Sequence, residues 1–465
     1  MKKILASAVL ISILGNLPAY AVTEQRAFKG MPHKENVSND YYNDYVNLQW
    51  WKNFNDNVLN AYIEKAVLNN HDLKMASITV DEYYQNIKLQ FANELPKASV
   101  GFNTAYVKAP VLGTDWNFVT PGIAQYEADI FLKNHDKTKA VRKLHEASRF
   151  DERAAYISVA CAVGTTYLNI VKLDKMITLQ EEIVSSRKNI HELMLLRNKE
   201  GLTSTADTIK ADKAYTAGVT DLLELKKQRD ILLNQLAVLI GENPENSGRL
   251  VRSNLDNLRF TSIIPNEISS EVIMQRPDYL KAEKMVEKAG LDVRVAKKEF
   301  LPSINLTGLA IFNANSFGSI FTTSNMIGAL AAGAMLPVFT GGAKTANLKL
   351  KKHQYERILQ NYYKTNLTAI QEVNDAMASI KSDEEKMRLT LKQAQFEKVE
   401  YSYNKNRYNQ GTISKLDLIQ NKENILVMDK IVTQQKIECF VDYIGLYKAA
   451  GANIAPQIAL NKATI

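Results

Sequence analysis

The stretch RNKEGLTSTAD, residues 197–207, has a counterpart in RYNQGTISKLD, residues 407–417. Both fit the pattern R-x3-G-x2-S-x2-D, and they begin 407 − 197 = 210 residues apart. The glycines Gly201 and Gly411 are best explained as positions that need a left-handed backbone at a helix end. The recurrence favours a chain built by duplication, with the two turns at equivalent places in one architecture.

A long helical pattern precedes each turn. Residues 133–198 contain no proline and one glycine, and residues 344–410 contain neither. Each segment would be on the order of 100 Å long as a continuous helix. After the turns, returning helices are predicted over about residues 206–240 and 415–450, with Gly241 and Gly451 at their C-terminal ends.

The two long segments share one heptad pattern, in which an acid occupies the fourth place. In the second segment the positions are Val373, Met377, Ile380, Glu384, Met387, Leu391 and Ala394. Subtracting 210 gives Val163, Tyr167, Ile170, Asp174, Ile177, Glu181 and Val184. Each half is therefore predicted to run from a helix through a Leu-Pro break and an extended region to the long helix, the turn and the returning helix.

The extended regions predict β-hairpins. Residues 97–108 and 303–312 alternate apolar with small or polar side chains, and second strands are predicted at 118–131 and 326–339. Strands of about ten residues also suit a membrane barrel. Four strands cannot close a barrel, and an open sheet edge in lipid leaves backbone groups unpaired. Either several chains share one barrel, or the hairpins pack against the helices of an exported protein.

The start of the chain, MKKILASAVLISILGNLPAYA, has the pattern of a signal peptide with cleavage after Ala21. No cysteine follows it, so no lipid attachment is predicted. The net charge of +8 is spread thinly, which argues against nucleic-acid binding. Cys161 and Cys439 are predicted to be buried and unpaired, because their heights along the helices differ by roughly 18 Å.

Several stretches resemble the outer membrane factor family, the TolC-like exit ducts, and more closely its NodT/OprM branch. They are WWKNFNDNVLNAYIEKAVLNNHDL (50–73), QRPDYLKAEKMVEKAGLDVRVAKKEFLPSINLTG (275–308) and LPVFTGGAKTANL (336–348). The chain departs from the family at the first strand-to-helix junction, where Leu132 replaces a glycine. That replacement concerns the local backbone of the junction and not the fold.

The resemblance implies a mainly α fold with a β-barrel contribution. Three chains would each give four strands to one outer-membrane barrel, continued by a periplasmic coiled-coil barrel. It also implies a homotrimer in contact with outer-membrane lipid, a periplasmic adaptor (membrane fusion) protein, and an inner-membrane pump of the RND type or similar. Multidrug efflux is favoured; type I protein secretion and a non-transporting coiled-coil envelope or adhesion protein remain alternatives.

The same resemblance places candidate sites at the turns. Asp417 would form an acidic ring that constricts the periplasmic mouth, and Gln420 occupies the position of the family's next acid. The alternative is that Asp417 only caps its helix, as is expected of Asp207. The candidate tip and adaptor-contact residues are Arg197, Gly201, Ser204, Asp207, Arg407, Gly411 and Ser414.

No catalytic, metal or cofactor motif is recognisable, so an enzyme is not predicted. The six histidines show no metal-ligand spacing. The predicted organisation is a signal peptide (1–21), an N-terminal segment with first helices (22–93), a first β-hairpin (94–131), a first long helical hairpin (132–241), a linker (242–268), a helix (269–300), a second β-hairpin (301–340), a second long helical hairpin (341–451) and a tail (452–465).

Overall fold

The structure is a computed structural model that describes residues 50–109, 113–261, 268, 270–314, 316, 318 and 321–452. The predicted signal peptide, the residues that follow it up to 49, and the tail beyond 452 lie outside the described residues. The same holds for residues 262–267 of the predicted linker.

Helices dominate the described part of the chain. The α-helices are α1 (Asn57–Asn69), α2 (His71–Phe91), α3 (Lys133–Lys199), α4 (Thr205–Leu239), α5 (Ser270–Met274), α6 (Pro277–Lys298), α7 (Ala343–Asn409) and α8 (Lys415–Ala449). The two long helices α3 and α7 have 67 residues each, and the returning helices α4 and α8 have 35 each. The predicted two-repeat organisation is confirmed.

The long helices and their partners form one layer. Helix α3 packs against α4, α7 packs against α8, and α3 packs against α8. We call the half of the layer near the two hairpin turns the lower half, and the half near the sheet the upper half. In the lower half the order of the helices is therefore α4–α3–α8–α7. In the upper half α2 packs on α3, and α6 packs on both α3 and α7. An apolar stretch of α3 is long enough to cross a membrane, but 67% of it is buried inside the protein, as in a core helix.

Equivalent side chains join the upper and lower helices of each repeat. Asn70 caps α2 and donates from Nδ2 to the Leu239 carbonyl at the end of α4 (2.8 Å). Arg276 precedes α6 and donates from Nη1 to the Ala449 carbonyl at the end of α8 (2.6 Å). Both bonds satisfy a carbonyl that has no partner within its own helix. Gly241 and Gly451, both at positive φ, follow these two helix ends.

The strands form one antiparallel sheet, made of β1 (Lys97–Val100), β2 (Asn103–Ala109), β3 (Gly113–Ala128), β4 (Ser303–Ala314) and β5 (Met326–Met335). Strand β3 pairs with β1 and β2 on one side and with β4 on the other, and β5 pairs with β4. The two predicted hairpins thus share a sheet, with β1/β2 and β5 at its edges.

Two proline positions explain where the strands differ from the prediction. The first predicted strand is interrupted at residues 101–102, although the register continues from Val100↔Gly122 to Asn103↔Val119. The Gly101 N–H donates to the Pro121 carbonyl (2.9 Å), and Pro121 has no N–H to return the bond. Strand β5 ends at Met335 rather than at 339, two residues before Pro337. Strand β3 covers Gly113–Ala128 rather than the predicted residues 118–131, and its additional first residues pair with β2.

An aromatic cluster anchors the first described residues to the long helices. Trp50 stacks on Tyr447 with ring centroids 5.5 Å apart, and Phe54 packs edge-on against Phe440. Next to it, the buried Tyr167 hydroxyl donates to Asp56 Oδ2 (2.8 Å). The start of the described chain is therefore fixed to α3 and α8 midway along the layer.

The acids in the heptad pattern have structural partners. Asp174 pairs with Arg252 (2.7 Å) and Arg229 (3.8 Å), and Glu384 accepts a hydrogen bond from the Tyr443 hydroxyl (2.8 Å). These acids hold neighbouring segments, so they do not interrupt the packing. Cys161 and Cys439 are both buried and unpaired, as predicted.

Leu132 has a left-handed backbone conformation like that of Gly342 at the equivalent junction. Its φ is +57° and its ψ is 36°, and Gly342, at the equivalent junction before α7, has φ +82°. A left-handed conformation costs an L-residue roughly 1–2 kcal/mol. Asp129 supports the junction by accepting from the backbone N–H groups of Lys133 (2.6 Å) and His135 (2.8 Å). The replacement leaves the fold intact and adds local strain.

Candidate functional site

The candidate site lies at the two hairpin tips, where the long helices reverse. Helix α3 ends in a Schellman motif: the Leu202 N–H donates to the Arg197 carbonyl (2.8 Å) and the Gly201 N–H to the Asn198 carbonyl (3.0 Å). Gly201 has φ +69°, which explains why glycine is needed there. In a Schellman motif the residue whose carbonyl accepts the bond that spans more residues precedes the left-handed residue by four positions, which is the spacing of arginine and glycine in the R-x3-G pattern.

The second tip repeats this geometry. The Thr412 N–H donates to the Arg407 carbonyl and the Gly411 N–H to the Tyr408 carbonyl, both at 2.9 Å, and Gly411 has φ +74°. The Arg407 side chain lies 3.4 Å from Asn404 Oδ1 of its own helix. The cationic side chains of Arg197 and Arg407 complement the negative helix ends. Their contact with an adaptor stays a prediction.

Serine and aspartate begin both returning helices. Ser204 Oγ accepts from the Asp207 N–H (3.1 Å) and donates to Asp207 Oδ2 (2.7 Å). Ser414 Oγ accepts from the Asp417 N–H (3.2 Å), while the Ser414 N–H and hydroxyl donate to Asp417 Oδ2 (3.1 and 2.8 Å). The second set is a complete capping box. The two tips are therefore built alike.

Hydrogen bonding keeps both acids ionised. Bonds from Ser204 lower the pKa of Asp207, and Lys210 lowers it further. Bonds from Ser414 lower the pKa of Asp417, and the charge of Arg407 on the neighbouring helix adds to the effect. Both carboxylates are exposed, and Gln420 is exposed one turn beyond Asp417. Capping accounts for one oxygen of Asp417, and the role of this residue as a constriction stays a prediction.

A polar contact between the two hairpins was not predicted. Arg187 of α3 donates from Nε and Nη2 to Glu423 Oε1 of α8 (2.8 and 2.6 Å), and the Glu423 side chain is 8% exposed. One heptad away, Lys430 donates to Gln180 Oε1 (2.8 Å). Along the helices, Ile183 and Leu426, which pack together with Leu179, lie between these two polar contacts. The partners belong to different repeats, so no local spacing in the sequence could reveal the pair.

The described part of the chain contains no candidate metal site. Among residues 50–109, 113–261 and the later described ranges, no group of three or more His, Cys, Asp or Glu side chains is arranged to hold a metal ion. The chemistry of the tips is thus that of helix caps and exposed carboxylates.

Comparison with known proteins agrees with this architecture. The family model described as outer membrane efflux protein matches residues 62–242 and 268–452, one range for each repeat. The probable efflux pump outer membrane protein TtgC of Pseudomonas putida is 25% identical over 464 residues, which are 97% of this chain and 95% of that protein. Toxin and drug export protein A of Aggregatibacter actinomycetemcomitans is 24% identical over 93% of this chain and 97% of its own length.

The fold has a counterpart among solved structures. The crystal structure of the Campylobacter jejuni CmeC outer membrane channel superposes with a TM-score of 0.78 at 24% identity, covering 90% of this chain and 91% of that one. The chain therefore belongs to the outer membrane efflux protein family, as its sequence predicts, and its class of function is efflux across the outer membrane.

Proposed function

We propose that this protein is a passive exit duct of three identical chains, without enzymatic activity. In this proposal each chain contributes its sheet to a shared barrel in the outer membrane and its helices to a tunnel below. Small molecules such as drugs would be delivered by an inner-membrane pump through a periplasmic adaptor. The pump would supply the energy and the choice of substrate.

The observation that carries the proposal is that the sheet and the helical layer are both open at their two sides. Within the described residues, β1 and β2 pair only with β3, and β5 pairs only with β4. Unpaired strand edges in lipid would leave backbone groups unsatisfied. Pairing β5 of one copy with β1/β2 of the next satisfies both edges, which supports a closed ring of copies.

The outer helices of the layer also expose apolar side chains. On α7, Phe396, Val399 and Tyr403 are exposed at spacings of three and four residues, which places them on one face. On α4, Leu223 and Ile231 are exposed about two turns apart. Since α4 and α7 are the flanks of the lower layer, packing the α7 of one copy against the α4 of the next would bury both sets.

One face of the sheet suits contact with lipid. The register aligns Val100 with Gly122, Ala310 and Gly328, and aligns Ala124 with Gly308 and Leu330. The opposite face carries Gln125, Thr307 and Glu127 near the helices. Leu330, on the first of these faces, is 93% exposed in the single chain, so contact with lipid would remove a large apolar surface from water.

Deletion of the gene, followed by a drug and dye accumulation panel, tests the function. The deletion strain should accumulate efflux substrates, and the wild-type gene should restore export. Detergent extracts of the outer membrane should contain a trimer that dissociates on heating. A soluble secreted monomer would contradict the duct and favour the envelope-protein alternative.

The gate at the tunnel mouth has its own test, with a matched control in the first repeat. Asp417→Asn keeps an oxygen for the capping box and removes the charge, and Asp207→Asn makes the same change at the other tip. If Asp417 forms a ring at the axis, only its variant should lose cation preference in single-channel recordings. Equal behaviour of the two variants would leave Asp417 as a cap.

The contact between the hairpins gives a second test of the gate. Arg187 and Glu423 fasten α8 to α3 about 12 residues, or roughly 18 Å of helix, above the second tip. Arg187→Ala would leave a nearly buried carboxylate without its partner, which favours separation of the hairpins. We expect a higher single-channel conductance, whereas Lys188→Ala, at the neighbouring exposed position, should leave it unchanged.

A further inference from the structure

Five apolar side chains stand out at the junctions between the sheet and the helices. Ile130 and Leu132 follow β3, and Leu336, Val338 and Phe339 follow β5; each is more than half exposed, and Val338 and Phe339 are 89% exposed. We call these five residues the apolar collar. Exposed apolar residues are common singly, but a cluster of this kind indicates a surface that another phase covers.

All members of the collar lie at the same end of the sheet. The register pairs Lys97 with Gln125, Ala128 with Ile304, and Ser303 with Met335, so β1 and β4 begin where β3 and β5 end. All connections between the sheet and the helices therefore lie at one end of the sheet, at about the same height. The collar residues lie at this height both after the central strand β3 and after the edge strand β5.

The backbone beneath the collar is held in place. Lys298 donates to the Leu132 carbonyl (3.0 Å) and to Asp136 (2.6 Å). Lys344 donates to the Glu299 carbonyl, and Asn347 donates to the Glu299 carboxylate (2.9 Å). These bonds join the first turns of α3 and α7 to the end of α6 and so fix the helix starts next to the collar.

A neighbouring copy cannot account for the whole collar. Strand β5 is an edge strand, and a second chain could cover Val338 and Phe339. Strand β3 is paired on both sides, so a copy that extends the sheet does not reach Ile130 or Leu132. A lipid leaflet can cover both groups, because it surrounds the end of the sheet and is continuous with the apolar sheet face.

Charge below the collar fits the same surroundings. Lys139 and Lys297 are exposed within about two helical turns of the junctions. Basic side chains at that depth suit the phosphates of phospholipid headgroups, which lie just outside the hydrocarbon region.

We infer that the apolar collar inserts into the periplasmic leaflet of the outer membrane and that the first turns of α3 and α7 lie at headgroup level. The inference rests on the proposed membrane barrel and extends it, since it places the boundary of the bilayer beyond the last paired strand residue. In this inference the five collar residues determine how deeply the duct is inserted in the outer membrane.

Spin labels at single cysteines test the inference on the full chain in bilayers of phosphatidylethanolamine and phosphatidylglycerol. The labelled positions are Ile130→Cys and Phe339→Cys, with Val338→Cys as a substitute should either fail to assemble. Leu330→Cys is the control within the sheet, and Ser382→Cys is the control on α7 far from the junction. Burial raises the pKa of the Cys161 thiol to about 12 and that of the Cys439 thiol to about 11, so the native cysteines should not be labelled.

The measured quantity is the ratio of label accessibility to oxygen, which enters lipid, over that to a water-soluble nickel chelate. We expect ratios at 130 and 339 severalfold above the ratio at 382 and close to that at 330. Water-like ratios at 130 and 339 with a lipid-like ratio at 330 would overturn the collar and keep the barrel. Exclusion of both reagents would overturn it by placing the collar between copies. A water-like ratio at 330 would refute the barrel itself.

Discussion

Gly241 and Gly201 end two helices in the same way but differ in what surrounds them. Both close a Schellman motif, with φ of +72° and +69°. A Cβ added at Gly241 would lie 2.7 Å from the Asn69 carbonyl oxygen, whereas a Cβ at Gly201 would meet nothing within 4 Å. Substituting alanine at each position therefore separates the cost of the backbone conformation from the cost of close packing.

The expected magnitudes follow from these two contributions. The left-handed conformation costs alanine roughly 1–2 kcal/mol, and the lower entropy of the unfolded chain returns about 0.4–1 kcal/mol. Gly201→Ala should thus cost about 1 kcal/mol. At Gly241 the Asn69 backbone must also move, which adds about 1–3 kcal/mol. Gly451→Ala should fall between the two, because its Cβ would lie 3.2 Å from Arg276 Cα.

Urea unfolding of the detergent-solubilised protein, followed by the helical circular dichroism signal, measures the difference. All variants are compared at one protein concentration, since assembly contributes to stability. The midpoints should fall in the order Gly201→Ala, Gly451→Ala, Gly241→Ala, with slopes unchanged. Equal shifts for Gly201→Ala and Gly241→Ala would show that the backbone at the α1–α4 contact yields freely, and the packing argument would be wrong.

Three other predictions use the same unfolding assay. Leu132→Gly should raise stability by about 1 kcal/mol, because it removes the left-handed strain, and a lower midpoint would contradict this. Arg276→Met should cost about 2–4 kcal/mol, because the carbonyl of Ala449 and the carboxylate of Glu372 lose a nearly buried donor. Burial and the nearby Asp383 raise the pKa of Asp442 to about 6. The folded state therefore binds the extra proton, so stability should fall as pH rises from about 4 to 6, and Asp442→Asn should flatten that slope.

The ends of the helices could be predicted from the sequence because their signals are local. The observed bounds of α3, α4, α7 and α8 lie within one residue of the predicted ones. Glycine at a left-handed position and serine at the first cap act through bonds that span six residues or fewer. Such signals need no knowledge of the rest of the fold.

Strand ends and contacts between the repeats could not be predicted in the same way. The break at residues 101–102 depends on Pro121, which lies on the opposite strand, so only the register reveals it. The contact of Arg187 with Glu423 joins side chains 236 residues apart. For Leu132, the sequence indicated a departure from the family, but only the backbone angles show that leucine adopts the conformation of glycine.

The repeats keep one backbone but have diverged in chemistry where their upper and lower helices meet. In the first repeat a neutral amide, Asn70, binds the carbonyl at the end of α4. In the second, Arg276 binds the carbonyl at the end of α8 and also Glu372 of α7 (2.6 Å). The Arg276 side chain thus joins α6, α7 and α8 of the second repeat at the end of α8 that is far from the tip. Nearer the tip, α8 is held to α3 by polar bonds. Because polar contacts between helices exchange for water more readily than apolar packing does, movement of the second hairpin should begin at its tip and stop below Arg276.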